Sequence, residues 1–171
     1  TSLLTAYDLV WNALTDGERD AGEAWFRAWY EAIAKNDRLW ISRLPWNAYN
    51  NHYAWHKWAI GMYGLHIGAP ELVEEAIQGT MGVRELLEHG LVDDGLWHES
   101  ATGYNFTAGH GLVPLAWSLR QAGWPDDLFA RRFSEGKGIV PLYRAALEML
   151  FPDATVPSVG DCYGHITELP A

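Results

Sequence analysis

Apolar side chains recur along this chain at spacings of three and four, the period of one helical face. Leu3, Leu4, Tyr7, Val10, Trp11 and Leu14 form one stripe, and the pattern predicts a helix over 1–14 that Gly17 breaks. A second helix is predicted over 18–34, with Trp25, Phe26, Trp29 and Ile33 on one face. The segment 36–50 holds Pro45 and several Asn, so it reads as a long loop or broken turn. A third helix is predicted over 52–67, with Trp55, Ala59, Met62 and His66 in register; Gly68 ends it, and Pro70 suits the first turn of the next.

Residues 71–78 and 83–89 read as two short helices, or as one helix interrupted around Gly79 and Gly82, before a polar, turn-rich loop over 90–103. A long helix over 104–122 buries Leu112, Leu115 and Leu119, and Gly123, Trp124 and Pro125 break it. Two more helices are predicted over 126–133 and 138–150. No strand-like alternation and no low-complexity linker appears. The chain therefore reads as one all-α domain over residues 1–171, built of antiparallel helical hairpins.

The length of 171 residues and the hydrophobic content of 49% fit a globular core and exclude disorder. No stretch of ~18 residues is apolar enough to span a bilayer. Twelve basic against 22 acidic residues give a net charge of −10, which excludes a typical nucleic-acid binder and disfavours a densely sulfated polyanion as ligand. Ten Trp, eight Tyr and five Phe suit both thick helical cores and sugar stacking. A single cysteine, Cys162, excludes a disulfide framework within the chain and reads as a free buried thiol. The chain opens on Thr1 with no signal-peptide pattern, the reading expected of a mature form or of a piece of a longer protein.

Candidate chemistry gathers in two runs. The first is Tyr49-Asn50-Asn51-His52-Tyr53-Ala54-Trp55-His56-Lys57-Trp58. Two amides and an imidazole at a helix start make a donor-rich anion pocket, and a carboxylate is its obvious guest. His52 and His56 share a helical face, but the run lacks the Glu of the HExxH zinc signature, so no metal is expected there. The second run spans residues 93–106. It carries Asp93, Asp94, Trp97, His98 and Glu99 and ends in the start of the long helix. Tyr104 falls in that first turn, where the helix dipole favours the phenolate. Asp93 and Asp94 read as a solvated turn, and Glu99 as a helix-start partner or an orienter of other groups.

NNHYAWHKWAIGMYGLHIG followed by ELVEEAIQGTMGVRELLEHGLVDDGLWHESATGYNF resembles the heparinase II/III-like polysaccharide lyases, whose close relatives are the alginate and oligoalginate lyases. AYDLVWNAL before these runs and VPSVGDCYG after them fit the same order. The resemblance implies an (α/α) toroid, here partial or reduced, because members of the family are longer and carry a β-sandwich that completes the cleft. It implies β-elimination on a uronic-acid polysaccharide or oligosaccharide, without metal or cofactor. Asn51 matches the residue that neutralises the uronate carboxylate, His52 the adjacent histidine, and Tyr104 the catalytic tyrosine. Asn50, Tyr53, Trp55, His56, Trp97 and Glu99 are candidate substrate-binding residues, with Tyr53, Trp55 and Trp97 as sugar platforms. A periplasmic or secreted location is favoured. Neither a nucleic-acid nor a membrane partner is expected, whereas self-association or a separate β-sandwich partner is. Two other readings stay open: a helical-toroid glycoside hydrolase using Asp94 and Glu99, and a non-catalytic carbohydrate-binding or scaffold unit.

Overall fold

A computed structural model describes residues 2–160, and Cys162, His165 and the end of the 156–164 motif lie outside them. The described chain is all-α: α1 (Ser2–Val10), α2 (Asp16–Ile41), α3 (His52–Ile67), α4 (Pro70–Gln78), α5 (Val83–His89), α6 (Thr102–Gln121) and α7 (Ile139–Glu148). The architecture is consistent with a toroid of helical hairpins. Among the described residues the strand-like pairing is one bridge between Leu91 and Trp97. No described helix is long and apolar enough to cross a membrane.

Four predicted features are corrected. The first stripe is not one helix, because α1 stops at Val10 and a single 3-10 turn, Trp11–Ala13, follows. Gly17 breaks nothing; it lies in the first turn of α2. Thr15 caps that helix, accepting from the Glu18 N–H while its own N–H donates to the Glu18 carboxylate. The same helix runs to Ile41, seven residues beyond the predicted end at Ala34. Its last two turns look polar in sequence because Asn36 and Asp37 are partners of a buried cluster, not loop residues. Finally, residues 126–133 form a turn rather than a helix. The Asp127 carboxylate accepts from the Phe129 N–H at 3.1 Å and from Arg120 at 2.8 and 2.9 Å, and Arg131 pairs with Asp126. Such side-chain capture of a local N–H competes with helix propagation.

The hairpins pack by consistent registers. Tyr30 stacks on Tyr63 at 4.5 Å, Asp37 meets His56 and Lys57, and Trp40 meets His52, so α2 and α3 run antiparallel. Gly68, at φ +66°, terminates α3, and the Ala69 N–H returns to the Gly64 carbonyl at 2.8 Å. α4 then folds back along α3. The α3–α6 contact has the opposite sense. A side chain at Gly111 would meet the Ala54 backbone, and one at Gly61 would meet Leu115. Position numbers therefore rise together along both helices. α3 and α6 run parallel, and their starts lie at the same end of the fold. The principal core between them joins Tyr53, Ala54, Ile60, Leu112 and Leu115 to Ile77, Leu86, Leu87 and Trp97.

The close approach at Gly111 generates a test. A Cβ there would sit 2.6 Å from the Ala54 carbonyl carbon and oxygen, which are backbone and cannot swing aside. Gly111→Ala should cost ~1–3 kcal/mol in denaturant unfolding, the usual range for overpacking. Gly17→Ala, with nothing within 4 Å, should be neutral or slightly stabilising. Equal effects at the two sites would contradict the α3–α6 register.

Candidate active site

Asn51 is the N-cap of α3, and its own side chain makes no cap hydrogen bond. Asn51 is buried, and its backbone N–H meets an anion supplied by the same chain. Glu99 Oε2 accepts from the Asn51 backbone N–H at 2.8 Å, from Asn51 Nδ2 at 2.9 Å and from the Trp97 indole Nε1 at 2.8 Å. Its other oxygen, Oε1, accepts from Asn50 Nδ2 at 2.8 Å. Four N–H donors thus converge on one carboxylate at the positive end of α3, and charge-assisted bonds of this kind are about twice as strong as neutral ones. The donor-rich pocket read from the sequence is real, but Glu99 is its guest.

The loop that carries Glu99 is itself fixed. Trp97 is buried, and its backbone N–H donates to Asn105 Oδ1 at 2.8 Å. Asn105, in the first turn of α6, also donates through Nδ2 to the Leu142 carbonyl of α7 at 2.8 Å. His98 Nε2 lies 2.9 Å from the Tyr49 carbonyl, and the His98 N–H donates to the Gly90 carbonyl. Asn50 and Asn51 at one helix start are therefore joined to Asn105 at the other through Glu99 and Trp97. Tyr104, beside Asn105, is half-buried against the principal core, and its N–H donates to the Ala101 carbonyl at 2.9 Å.

His52 is exposed, with its imidazole stacked on Trp40 at 4.5 Å between ring centres and 16° between planes. Its backbone N–H donates to Asn50 Oδ1 at 3.0 Å. His56, by contrast, is buried between polar partners. Nε2 lies 3.1 Å from Asn36 Nδ2, and Nδ1 lies 3.2 Å from Asp37 Oδ1. The other Asp37 oxygen accepts from Lys57 Nζ at 2.8 Å, and Lys57 has no exposed surface. Glu75 completes the cluster at 3.5 Å from the same ammonium. Burial pushes the Asp37 carboxyl up, but the His56 hydrogen bond and the Lys57 charge outweigh it and hold the group below its ordinary value. Both ring nitrogens of His56 are engaged in this way, and the ring ties α2 to α3.

The platform candidates separate by burial. Tyr53 and Trp97 are core residues, which corrects their reading as sugar platforms. The Tyr53 hydroxyl donates to Asn47 Oδ1, and burial, reinforced by the Asp37 charge, pushes the phenol up to about 12, so it stays neutral and is no base. Trp55 is exposed at 40% and lies 5.6 Å from Trp58 and 6.4 Å from His110, in an open recess of about 390 Å³ shared with Leu3 and Pro114. Asp94 accepts from the Leu96 N–H within its turn, and Asp93 pairs with Lys137 at 3.5 Å. The sequence reading missed Trp40, Asp37 and Lys57. Only Lys57 carried a signal, a cation in the middle of an otherwise apolar and aromatic helix.

Three stability tests follow from these networks. Asp37→Ala strands the buried Lys57 ammonium and should cost ~3–5 kcal/mol, whereas Lys57→Met, which keeps the volume and leaves Asp37 bonded to His56, should cost less. Because the Asp37 value is lowered on folding from about 3.8, its contribution is complete above that pH and is lost as pH falls through the folded value. Acid unfolding of Asp37→Asn should accordingly be less steep below ~pH 4, and an unchanged acid profile would contradict the pairing. Glu99→Gln places an NH₂ against donors and leaves at least one of them unmet. It should lower stability by ~1–3 kcal/mol, with raised hydrogen exchange at the Asn51 amide; wild-type exchange there would contradict the bonding described.

No curated protein matches the sequence significantly. The alginate lyase family profile matches residues 2–144, a span that contains Asn50, Asn51, His52, Glu99 and Tyr104 and every helix from α1 to α6. The chain belongs to the alginate lyase family of polysaccharide lyases.

Proposed function

We propose that this chain cleaves a uronic-acid polysaccharide or oligosaccharide by β-elimination, with Asn51 and His52 at the sugar carboxylate and Tyr104 at the proton. The observation that carries the reading is the polar linkage from Asn51 through Glu99 and Trp97 to Asn105, beside Tyr104. It supports a shared site at the two helix starts, inside the segment that the family profile covers.

The chemistry sets the requirements. The C5 proton of a uronate is weakly acidic while the neighbouring carboxylate is charged. Donors at that carboxylate stabilise the enolate-like transition state, as an oxyanion hole does. The Asn51 amide nitrogen bears two hydrogens and gives one to Glu99, so the second serves the substrate. The His52 ring, exposed on one helix start, supplies a further donor or the base. Tyr104 removes the C5 proton, the C4–O glycosidic bond breaks as the C4–C5 double bond forms, and a proton passes to the leaving oxygen. When Tyr104 does both transfers the elimination is syn; with His52 as base and Tyr104 as acid it is anti. Glu99 positions the amides, and its four donors leave it poorly placed to serve as a hydrolase carboxylate.

The net charge of −10 favours an unsulfated uronate such as alginate over a sulfated chain. Action on such a polymer suits a secreted or periplasmic protein. Trp55, with its exposed indole, is the remaining platform candidate.

The test is ultraviolet absorbance of the unsaturated product on a set of uronate polymers. Tyr104→Phe keeps the ring against the core and removes the hydroxyl, so the rate should fall by ~10²–10⁴-fold with little loss of stability. Asn51→Ala should lower it by ~10²–10³-fold, and should also melt somewhat earlier because Glu99 loses a donor. Cleavage by Tyr104→Phe at the wild-type rate, or a product with a new reducing end and no double bond, would overturn the reading.

A further inference from the structure

His52 differs from its neighbours in the same run. Asn50 and Asn51 are held by Glu99, and His56 by Asn36 and Asp37, each through side-chain hydrogen bonds. The His52 ring is held by a face. Trp40, at the end of α2, lies under it at 4.5 Å and 16°, a parallel stack. A ring on an exposed helix start otherwise turns freely about two side-chain torsions, and a proton-transfer group needs a fixed plane.

The indole can act as a floor because it is itself immobile. The edges of Tyr53 and His56 meet it at 5.8 and 5.9 Å, at 86° and 88° to its plane. Those two rings belong to the core and to the Asp37–Lys57 cluster. The Trp40 carbonyl accepts from Asn47 Nδ2 at 3.0 Å, and Asn47 Oδ1 accepts from the Tyr53 hydroxyl, which ties the loop before α3 to the same tryptophan. One face of His52 is thereby covered, and the other stays open to solvent and to a bound sugar.

We propose that Trp40 is the positioning residue for His52, fixing the imidazole plane for its work at the uronate and blocking approach from beneath. The proposal rests on the lyase reading of His52. Trp40 touches no substrate; it acts through the ring above it. Its loss should therefore appear in kcat rather than KM, and a flat replacement should restore what an aliphatic one does not.

The experiment combines kinetics with nuclear magnetic resonance on the whole protein. In the wild type the His52 ring protons should resonate upfield of an ordinary exposed histidine, shifted by the indole ring current. Trp40→Leu, shown to be folded by circular dichroism, should lose the shift and lose ~10²-fold in kcat, the cost of a misplaced catalytic group, with KM little changed. Trp40→Phe should keep part of the shift and most of the rate. Wild-type protein that forms no unsaturated product from any uronate overturns the lyase reading and the purpose of the stack with it. Active wild type beside an equally active, folded Trp40→Leu overturns the role of Trp40 alone. The ring-current measurement on wild type needs no variant to fold, and ordinary His52 resonances there would likewise overturn the proposal.

Discussion

The Glu99 carboxylate is the interaction on which the candidate site depends. It takes three donors from the start of α3 and one from Trp97, and Trp97 is tied in turn to the start of α6. Without an anion at this position, the start of α3 would leave the Asn51 N–H unmet and two amides with no fixed orientation. Supplying the anion from within the chain settles both problems. It also explains why a polar loop such as residues 90–101 holds one shape. Val92 and Leu96 pair across its turn, His98 bonds the Gly90 and Tyr49 backbones, and Glu99 bonds the helix.

A second layer lies behind the first. Asp37 and Lys57 form a buried pair at 2.8 Å, with His56 on the other oxygen. A buried ion pair is seldom favoured over apolar packing of the same volume, so stability alone is a poor account of it. What it does supply is direction. His56 is held in one orientation, its edge meets Trp40, and the Trp40 face carries His52. Two supports thus meet at one helix start. A hydrogen-bonded one under Asn50 and Asn51 comes from the 90–101 loop, and an aromatic one under His52 comes from α2. Rigid surroundings of this kind are what proton transfer demands.

Much of the helical plan was legible in the chain. Periodicity placed α3, α4, α5 and α7 within a few residues, and the Gly68–Pro70 signal marked the α3–α4 junction. What failed were readings in which a residue's polarity stood in for its location. Asn36 and Asp37 look like loop and are helix, because their partners lie on α3, 19 and 20 residues away. Gly17 looks like a break and sits in a first turn, because Thr15 and Glu18 close a capping box around it. Within the site, the cluster of amides and imidazole at residues 50–52 was readable as an anion pocket, while its occupant was not. Glu99 is 48 residues from Asn51, and no spacing rule reaches across three intervening helices and a loop. Nor could periodicity reveal that α3 and α6 run parallel, which depends on the close approach at Gly111.

In the proposed reaction Glu99 acts by orienting the amides at the start of α3, Asn51 above all. A double-mutant cycle on kcat measures this directly, using Glu99→Gln, Asn51→Ala and the pair on one uronate substrate. Groups that act as a unit are strongly non-additive. The double variant should be little slower than Asn51→Ala alone, since the amide that Glu99 orients is already gone. Rate losses that simply multiply would show Glu99 acting independently of Asn51 and would contradict the account.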